Sequence, residues 1–174
     1  MKALLKNARV YENGTFAVRD MLLDGAVISP FTPSLSFDII IDGCAVLPGF
    51  CDVHVHLREP GFSYKETIET GSTASARGGY TAVLSMPNLK PAPDTRENLG
   101  VQLDLIAQGA RIAVIPYGTI TKGQLGEELS DMEAMACDVC AFSDDGRGVQ
   151  SESLMRQAME EAKRLGKLDR KSVV

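Results

Sequence analysis

Residues 52–61 of the chain read DVHVHLREPG and contain both of its histidines. They end an apolar run with the alternating residues His54, His56 and Arg58. If the run is a β-strand, these three side chains point to the same side of it, roughly 7 Å apart at alternate positions. Two imidazoles on one face can bind one metal ion, and neutral imidazole suits zinc. This stretch therefore predicts a strand that ends in a metal site.

A pair of histidines two residues apart also has a simpler interpretation. It can be a solvated or hydrogen-bonded pair without a metal, since short motifs match by chance. The context favours the metal, because three polar groups follow an apolar strand directly before Pro60-Gly61, and burying them without partners would be costly. The C-terminal ends of strands are also where (β/α)8 barrels have their active sites.

The first 47 residues have the pattern of a small β-sheet module. Short apolar or alternating runs are separated by Asn13-Gly14, Asp24-Gly25 and Asp42-Gly43, which are typical hairpin and turn sequences. No segment in this part of the chain has a helical period. We therefore expect residues 1–47 to form strands only.

From Val46 onward, strand-like runs alternate with helical ones four times, which is typical of a parallel sheet with helical crossovers. Four such units do not close a (β/α)8 barrel, and the pattern alone is also compatible with an open doubly wound sheet. The predicted pairs of strand and helix are Val46–Leu57 with Lys65–Arg77, Tyr80–Met86 with Thr95–Gln108, Arg111–Thr119 with Asp131–Ala136, and Val139–Phe142 with Glu152–Leu165.

The composition excludes several classes of protein. With 18 basic and 23 acidic side chains the formal charge is −5, which leaves no basic stripe for a nucleic acid. No apolar run approaches the ~20 residues of a membrane span, and the N-terminus lacks the apolar core of a signal peptide, so we expect a cytoplasmic protein without a membrane partner. The four cysteines are expected to be reduced. Cys137 and Cys140 form a lone C-x-x-C pair and are expected to be buried small side chains rather than zinc ligands.

Two further polar segments follow predicted strands. Residues 142–146 read FSDDG, and residues 85–88 read SMPN. The carboxylates of Asp144 and Asp145 could bind divalent metal ions, and Asn88 can donate and accept hydrogen bonds at the edge where His54 lies. Each segment taken alone is more typical of a turn than of a ligand site.

Together, residues 52–61, 86–88 and 141–146, with 149–151 after them, resemble the signature segments of the dihydroorotase family in order and spacing. The resemblance runs from residue 1 to about residue 168. It implies an α/β fold with a metal-centred TIM-type (β/α) barrel of the amidohydrolase superfamily, together with a small β-sandwich module formed by the two ends of the chain.

The resemblance divides the chain into two domains and a tail. Residues 1–47 would be the N-terminal half of the composite β-sandwich, and residues 48–168 would be a partial barrel containing the first four βα units. From residue 169 the chain departs from the family pattern, and we expect a short charged tail over residues 169–174 in place of a strand.

The resemblance also implies chemistry for particular residues. His54, His56 and Asp145 would be ligands of one or two Zn²⁺ ions, with Asp145 in the place that a carboxylated lysine holds in related enzymes. Arg58 and Asn88 would bind the substrate's carboxylate, to which a planar guanidinium is well matched. The implied reaction is the reversible interconversion of N-carbamoyl-L-aspartate and L-dihydroorotate in pyrimidine biosynthesis.

The chain lacks some residues of the family pattern. No histidine follows His56, and the family's proton-shuttling aspartate has no counterpart, so no catalytic residue is assigned. We therefore expect the N-terminal part of a dihydroorotase, with a partial metal site and negligible turnover in isolation. The full-length protein is expected to be a homodimer, and association with aspartate transcarbamoylase is a further expectation.

Two other interpretations stay open. The first is another cyclic amidohydrolase, such as a hydantoinase, dihydropyrimidinase or allantoinase. Asp145 in place of a metal-bridging lysine, and Arg58 placed for a substrate carboxylate, argue against it. The second is a non-catalytic dihydroorotase-like scaffold beside a transcarbamoylase. Retention of His54 and His56 counts against the scaffold, and the lack of the later ligands counts for it.

Overall fold

The structure is a computed structural model that describes residues 1–32 and 36–169. The chain divides into two compact units, Met1–Pro48 and the residues from Gly49 onward. No helix in the described ranges is long and apolar enough to cross a membrane.

The first unit is a five-stranded β-sheet. Asn13 and Gly14 both have positive φ, as a two-residue hairpin turn between β1 and β2 requires, so the turn predicted there is confirmed. The strand order is β3-β2-β1-β4, and β5 also pairs with β1. The strands are β1 (Lys2–Glu12), β2 (Thr15–Asp24), β3 (Val27–Pro30), β4 (Ile39–Asp42) and β5 (Ala45–Val46).

The described residues of the first unit form one sheet rather than the two packed sheets of a sandwich. Leu5 and Val10 belong to its buried cluster. Other aliphatic side chains are more than half exposed, among them Val18, Ile28 and Ile40. The predicted small β-sheet module is therefore present as one sheet, and its membership of a composite β-sandwich stays a prediction.

The second unit is a parallel α/β structure, so the α/β class predicted for it is confirmed. Its strands are β6 (Phe50–Val55), β7 (Tyr80–Ser85), β8 (Ala113–Pro116), β9 (Ala141–Phe142) and β10 (Leu168–Asp169). Its helices are α1 (Ile68–Arg77), α2 (Arg96–Gly109), α3 (Met132–Met135) and α4 (Glu152–Arg164), with a 3₁₀ turn at Lys122–Gln124.

Neighbouring strands of the second unit follow each other in chain order. β6, β7 and β8 pair in parallel, β9 pairs in parallel with β10, and a parallel bridge between Gly118 and Phe142 joins the two groups. The close approach requires a glycine, because a Cβ at position 118 would lie 2.9 Å from the Phe142 ring. A doubly wound sheet reverses its strand order at a switch point. The described strands show no reversal, and their order is that of successive barrel strands.

The core of the second unit holds β9 in place. Ser151 caps α4 by accepting a hydrogen bond from the amide of Leu154. Ala158 and Ala162 on the inner face of α4 are buried in one cluster with Phe142 of β9. This packing fixes the point at which the loop after β9 begins.

Several predicted elements differ from the structure by a few residues at their ends, and two of the differences concern the division into domains. The predicted strand Val46–Leu57 is two strands, β5 and β6, because Pro48 has no amide hydrogen for a sheet and Gly49 follows it. The tail predicted over residues 169–174 begins one residue too early, since Asp169 belongs to β10 and pairs with Phe142 of β9. Residues 170–174 lie outside the described residues.

Candidate metal centre

The predicted site residues follow strands that run in parallel. His54 lies in β6 and His56 comes directly after it, Asn88 follows β7, and Asp145 follows β9. Parallel strands end at the same edge, so residues that are far apart in the sequence can meet there. The structure brings His54, His56 and Asp145 into one cluster.

The two histidines face the two oxygens of one carboxylate. The Nε2 atom of His54 lies 3.6 Å from Oδ1 of Asp145, and the Nε2 atom of His56 lies 3.5 Å from Oδ2. These separations exceed those of ordinary hydrogen bonds. Two atoms bound tetrahedrally to one metal ion at ~2.0–2.2 Å are about 3.3–3.6 Å apart. The spacing of the three donors is therefore compatible with a shared metal ion.

The environment of His56 favours the neutral ring. Burial lowers the pKa of His56 below its ordinary value of 6.5, the positive charge of Arg58 acts in the same direction, and Asp145 opposes the shift. A metal binds the unprotonated imidazole. The Nδ1 atom of His56 is buried and has no hydrogen-bond partner among the described residues. The unpartnered atom is the ring nitrogen that does not face Asp145, since Nε2 is the atom close to that carboxylate.

The two adjacent aspartates have different environments. Asp144 is 1% exposed, and its carboxylate accepts hydrogen bonds from the amides of Ile120 and Thr121 and from the Thr121 hydroxyl. Burial raises the pKa of Asp144, and these donors oppose the shift. Asp145 is partly exposed and faces the histidines. Asp144 therefore anchors the loop after β9 to the loop after β8, and Asp145 is the candidate ligand.

Sequence reasoning does not identify the loop after β8 as part of the site. Thr121 donates to Asp144 through both its amide and its hydroxyl, and the same hydroxyl oxygen accepts from the amide of Gly126 at 2.9 Å. The sequence contains only a weak signal for the role of this loop. Thr121 comes soon after the third predicted strand, at the edge where the other site loops lie.

Asn88 and Arg58 lie at the same edge as the cluster. The Nδ2 atom of Asn88 donates to the main-chain carbonyl of Asp145 at 2.7 Å, and its Oδ1 atom is buried without a partner among the described residues. Arg58 is half-buried, and its charge lowers the pKa of His56, which places a cation beside the cluster. That Asn88 and Arg58 bind the substrate stays a prediction.

The two cysteines of the C-x-x-C pair differ from each other. Cys140 is half-buried, its Sγ atom lies 3.3 Å from the carbonyl oxygen of Pro116, and burial raises its pKa to about 11. Cys137 is exposed. The prediction that both are buried small side chains is therefore wrong for Cys137.

We expect Cys140 to resist alkylation. At pH 8 a thiol with a pKa of about 11 is only ~0.1% thiolate, which is the form that reacts. Brief treatment with iodoacetamide at pH 8, followed by peptide mass spectrometry, should label the exposed Cys137 about tenfold faster than Cys140. Equal rates of labelling would contradict the burial of Cys140.

The relationship to known families follows from a comparison of the whole chain. A family model described as dihydro-orotase-like matches residues 43–170, which is most of the chain. The chain belongs to this family. The family expected from residues 52–61 and the later segments is therefore confirmed.

Curated relatives agree with the dihydro-orotase-like family. The chain is 49% identical over 168 residues to the dihydroorotase of Fusobacterium nucleatum, and 48% identical over 170 residues to the dihydroorotase of Staphylococcus aureus strain MRSA252. Each match covers 94% of this chain and 40% of the relative. The chain thus spans about two fifths of the length of these relatives.

Solved structures share the fold of this dihydro-orotase-like chain. The L-hydantoinase (dihydropyrimidinase) from Arthrobacter aurescens matches with a TM-score of 0.77 at 20% identity, over 96% of this chain and 39% of that protein. The D-hydantoinase (dihydropyrimidinase) from Thermus sp. matches with a TM-score of 0.71 at 24% identity, over the same shares. At these identities the likeness shows only that the chain has part of the fold of these enzymes. That this part comprises the first four βα units stays a prediction.

Proposed function

We propose that the chain supplies the first metal ligands and the carboxylate-binding residues of a zinc-dependent dihydroorotase, which interconverts N-carbamoyl-L-aspartate and L-dihydroorotate. The observation that carries the proposal is the convergence of Nε2 of His54 and Nε2 of His56 on the two oxygens of Asp145. The family match and the names of the curated relatives support this reaction.

The donor set supports zinc as the metal. Two neutral imidazoles and a carboxylate are typical Zn²⁺ ligands, and the three offered atoms lie within 4.8 Å of one another. When bound, the ion would act as a Lewis acid that polarises the amide carbonyl of the substrate ring. Burial lowers the pKa of His56 and so favours its unprotonated ring, and the hydrogen bonds to Asp144 hold the loop that carries Asp145.

Arg58 supports a substrate that carries a carboxylate. It is half-buried two residues after His56, and its positive charge lowers the pKa of that ring. Carbamoyl aspartate and dihydroorotate both carry a carboxylate, which a guanidinium can bind through two parallel hydrogen bonds. A hydantoin or dihydrouracil ring without an acidic substituent would not use this residue. Arg58 therefore favours dihydroorotase over the hydantoinase interpretation.

A chimera tests this function. Residues 1–168 would replace the matching segment of the Fusobacterium nucleatum dihydroorotase, to which the chain is 49% identical. We expect the Zn²⁺-loaded chimera to form dihydroorotate from carbamoyl aspartate within about tenfold of the rate of the relative, because the exchanged segment supplies its own ligands and carboxylate-binding residues. The isolated chain should have negligible turnover, since no histidine follows His56 and the proton-shuttling aspartate of the family pattern has no counterpart.

The choice of ring substrates makes the test specific. The chimera should act on dihydroorotate in preference to hydantoin and dihydrouracil, which have the cyclic amide but no carboxylate. Preference for a ring without a carboxylate would favour the hydantoinase interpretation instead. A correctly folded, zinc-loaded chimera without activity on any of these substrates would contradict the proposal.

A further inference from the structure

Asn88 connects two loops of the metal centre. Its Nδ2 atom donates to the main-chain carbonyl oxygen of Asp145 at 2.7 Å, across 57 residues of sequence. A carbonyl oxygen only accepts hydrogen bonds, so the side-chain atom that faces it must be the amide nitrogen. The bond therefore links the loop after β7 directly to the residue that carries the candidate carboxylate ligand.

The segment around Asp145 is held on its other side as well. The preceding residue, Asp144, accepts hydrogen bonds from the amides of Ile120 and Thr121 in the loop after β8. The following residue, Gly146, has a φ of +76°, which turns the chain away after Asp145. Because the direction of a side chain follows from its backbone, fixing the carbonyl of Asp145 restricts where its carboxylate can lie.

We propose that Asn88 is a positioning residue that holds the Asp145 carboxylate in place against His54 and His56. The inference rests on the metal centre of the proposed function. Contacts that orient metal ligands typically account for about 10- to 100-fold in metal affinity. Here the contact is made to the main chain of the ligand residue. One N–H of Asn88 is used in this bond, which leaves the other for a substrate carboxylate.

Asn98 offers a matched control for this bond. Its Nδ2 atom also donates at 2.7 Å, to Oδ1 of Asp94, and both bonds are partly buried. Asn98→Ala and Asn88→Ala therefore each remove one asparagine hydrogen bond of equal length, but only Asn88→Ala removes a contact to Asp145. Asn88→Asp keeps the size of the side chain and removes the N–H, which separates the loss of the donor from the loss of packing.

Two measurements on the 174-residue chain test the proposal. Titration with Co²⁺, followed by its visible absorption, reports the affinity and coordination of the site. Amide hydrogen exchange in the metal-free chain reports the order of the loop itself. The diagnostic amides are those of Arg147 and Gly148, which donate to the carbonyl of Asp144 at 3.0 and 2.9 Å.

We expect Asn88→Ala and Asn88→Asp to raise the Kd for Co²⁺ about 10- to 100-fold and to change the visible spectrum of the bound ion. In the metal-free chain, exchange of the Arg147 and Gly148 amides should become about tenfold faster, because the loop loses one of its anchors. Asn98→Ala should match the wild type in both measurements. Should Asn88→Ala not fold, the comparison rests on Asn88→Asp.

Several outcomes would overturn the proposal. One is wild-type Co²⁺ affinity in both Asn88 variants. Even with faster amide exchange, this result would mean that the hydrogen bond from Asn88 orders the loop but does not position the Asp145 carboxylate. Another is an equal loss of affinity in Asn98→Ala. If the wild-type chain bound no Co²⁺, the proposed metal centre would fail by itself. The amide exchange of Arg147 and Gly148 would then decide whether Asn88 holds the loop. Equal exchange rates in the wild type and in the Asn88 variants would overturn the inference.

Discussion

Alanine in place of His54 or His56 should lower the affinity of the chain for Zn²⁺ by about 100-fold or more, because each substitution removes one of three donors from the site. The chain contains no further histidine that could replace the lost ligand. Burial lowers the pKa of His56, which weakens the competition of protons with the metal for this ring. Calorimetric titration with Zn²⁺ and the visible absorption of bound Co²⁺ measure the loss.

The cysteines provide the control, because thiolates are the other common zinc ligands. The double variant Cys137→Ala/Cys140→Ala should bind Zn²⁺ with wild-type affinity, since the raised pKa of Cys140 disfavours its thiolate. Asp145→Asn should lose affinity as the histidine variants do. Wild-type affinity in either histidine variant, or a large loss in the cysteine variant, would contradict the assigned ligands.

The two histidines show what a local pattern can predict. Alternate residues of an extended chain share one face whatever the rest of the fold does, so the spacing predicts that His54 in β6 and His56 directly after it lie on the same side. The strand order of the second unit does not follow from local patterns in this way. Alternating strands and helices fit both a barrel and a doubly wound sheet, and the bridge between Gly118 and Phe142 that joins β8 to β9 in chain order is a tertiary contact.

The adjacent aspartates show where a local pattern stops being informative. Asp144 and Asp145 have the same chemistry and nearly the same position in the sequence, and the resemblance to dihydroorotase assigns the ligand role to Asp145. The structure separates them by their partners. The donors to Asp144 come from Ile120 and Thr121, 24 and 23 residues away in another loop. No spacing rule connects these loops, so the anchor can be recognised only once the strands are placed side by side.

Asp144→Ala should reduce the free energy of unfolding by about 3 kcal/mol. The substitution leaves the amides of Ile120 and Thr121 buried without an acceptor, and each unsatisfied donor costs about 1–3 kcal/mol. Part of this loss is offset, because burying the charged carboxylate is itself unfavourable, as the raised pKa of Asp144 indicates. Urea denaturation followed by circular dichroism measures the difference from the wild type.

Asp144→Asn separates the charge of this side chain from its hydrogen bonds. Its oxygen can still accept from one amide, whereas its nitrogen would face the amide of Thr121, so we expect about half the loss of the alanine variant. Asp104→Ala, at an exposed position of α2, should change stability by less than about 0.5 kcal/mol. Because Asp144 directly precedes Asp145, Co²⁺ affinity should fall in the same order as stability. A stable Asp144→Ala variant with full affinity would mean that the packing of Phe142 alone holds the loop after β9, and that the buried carboxylate is not its anchor.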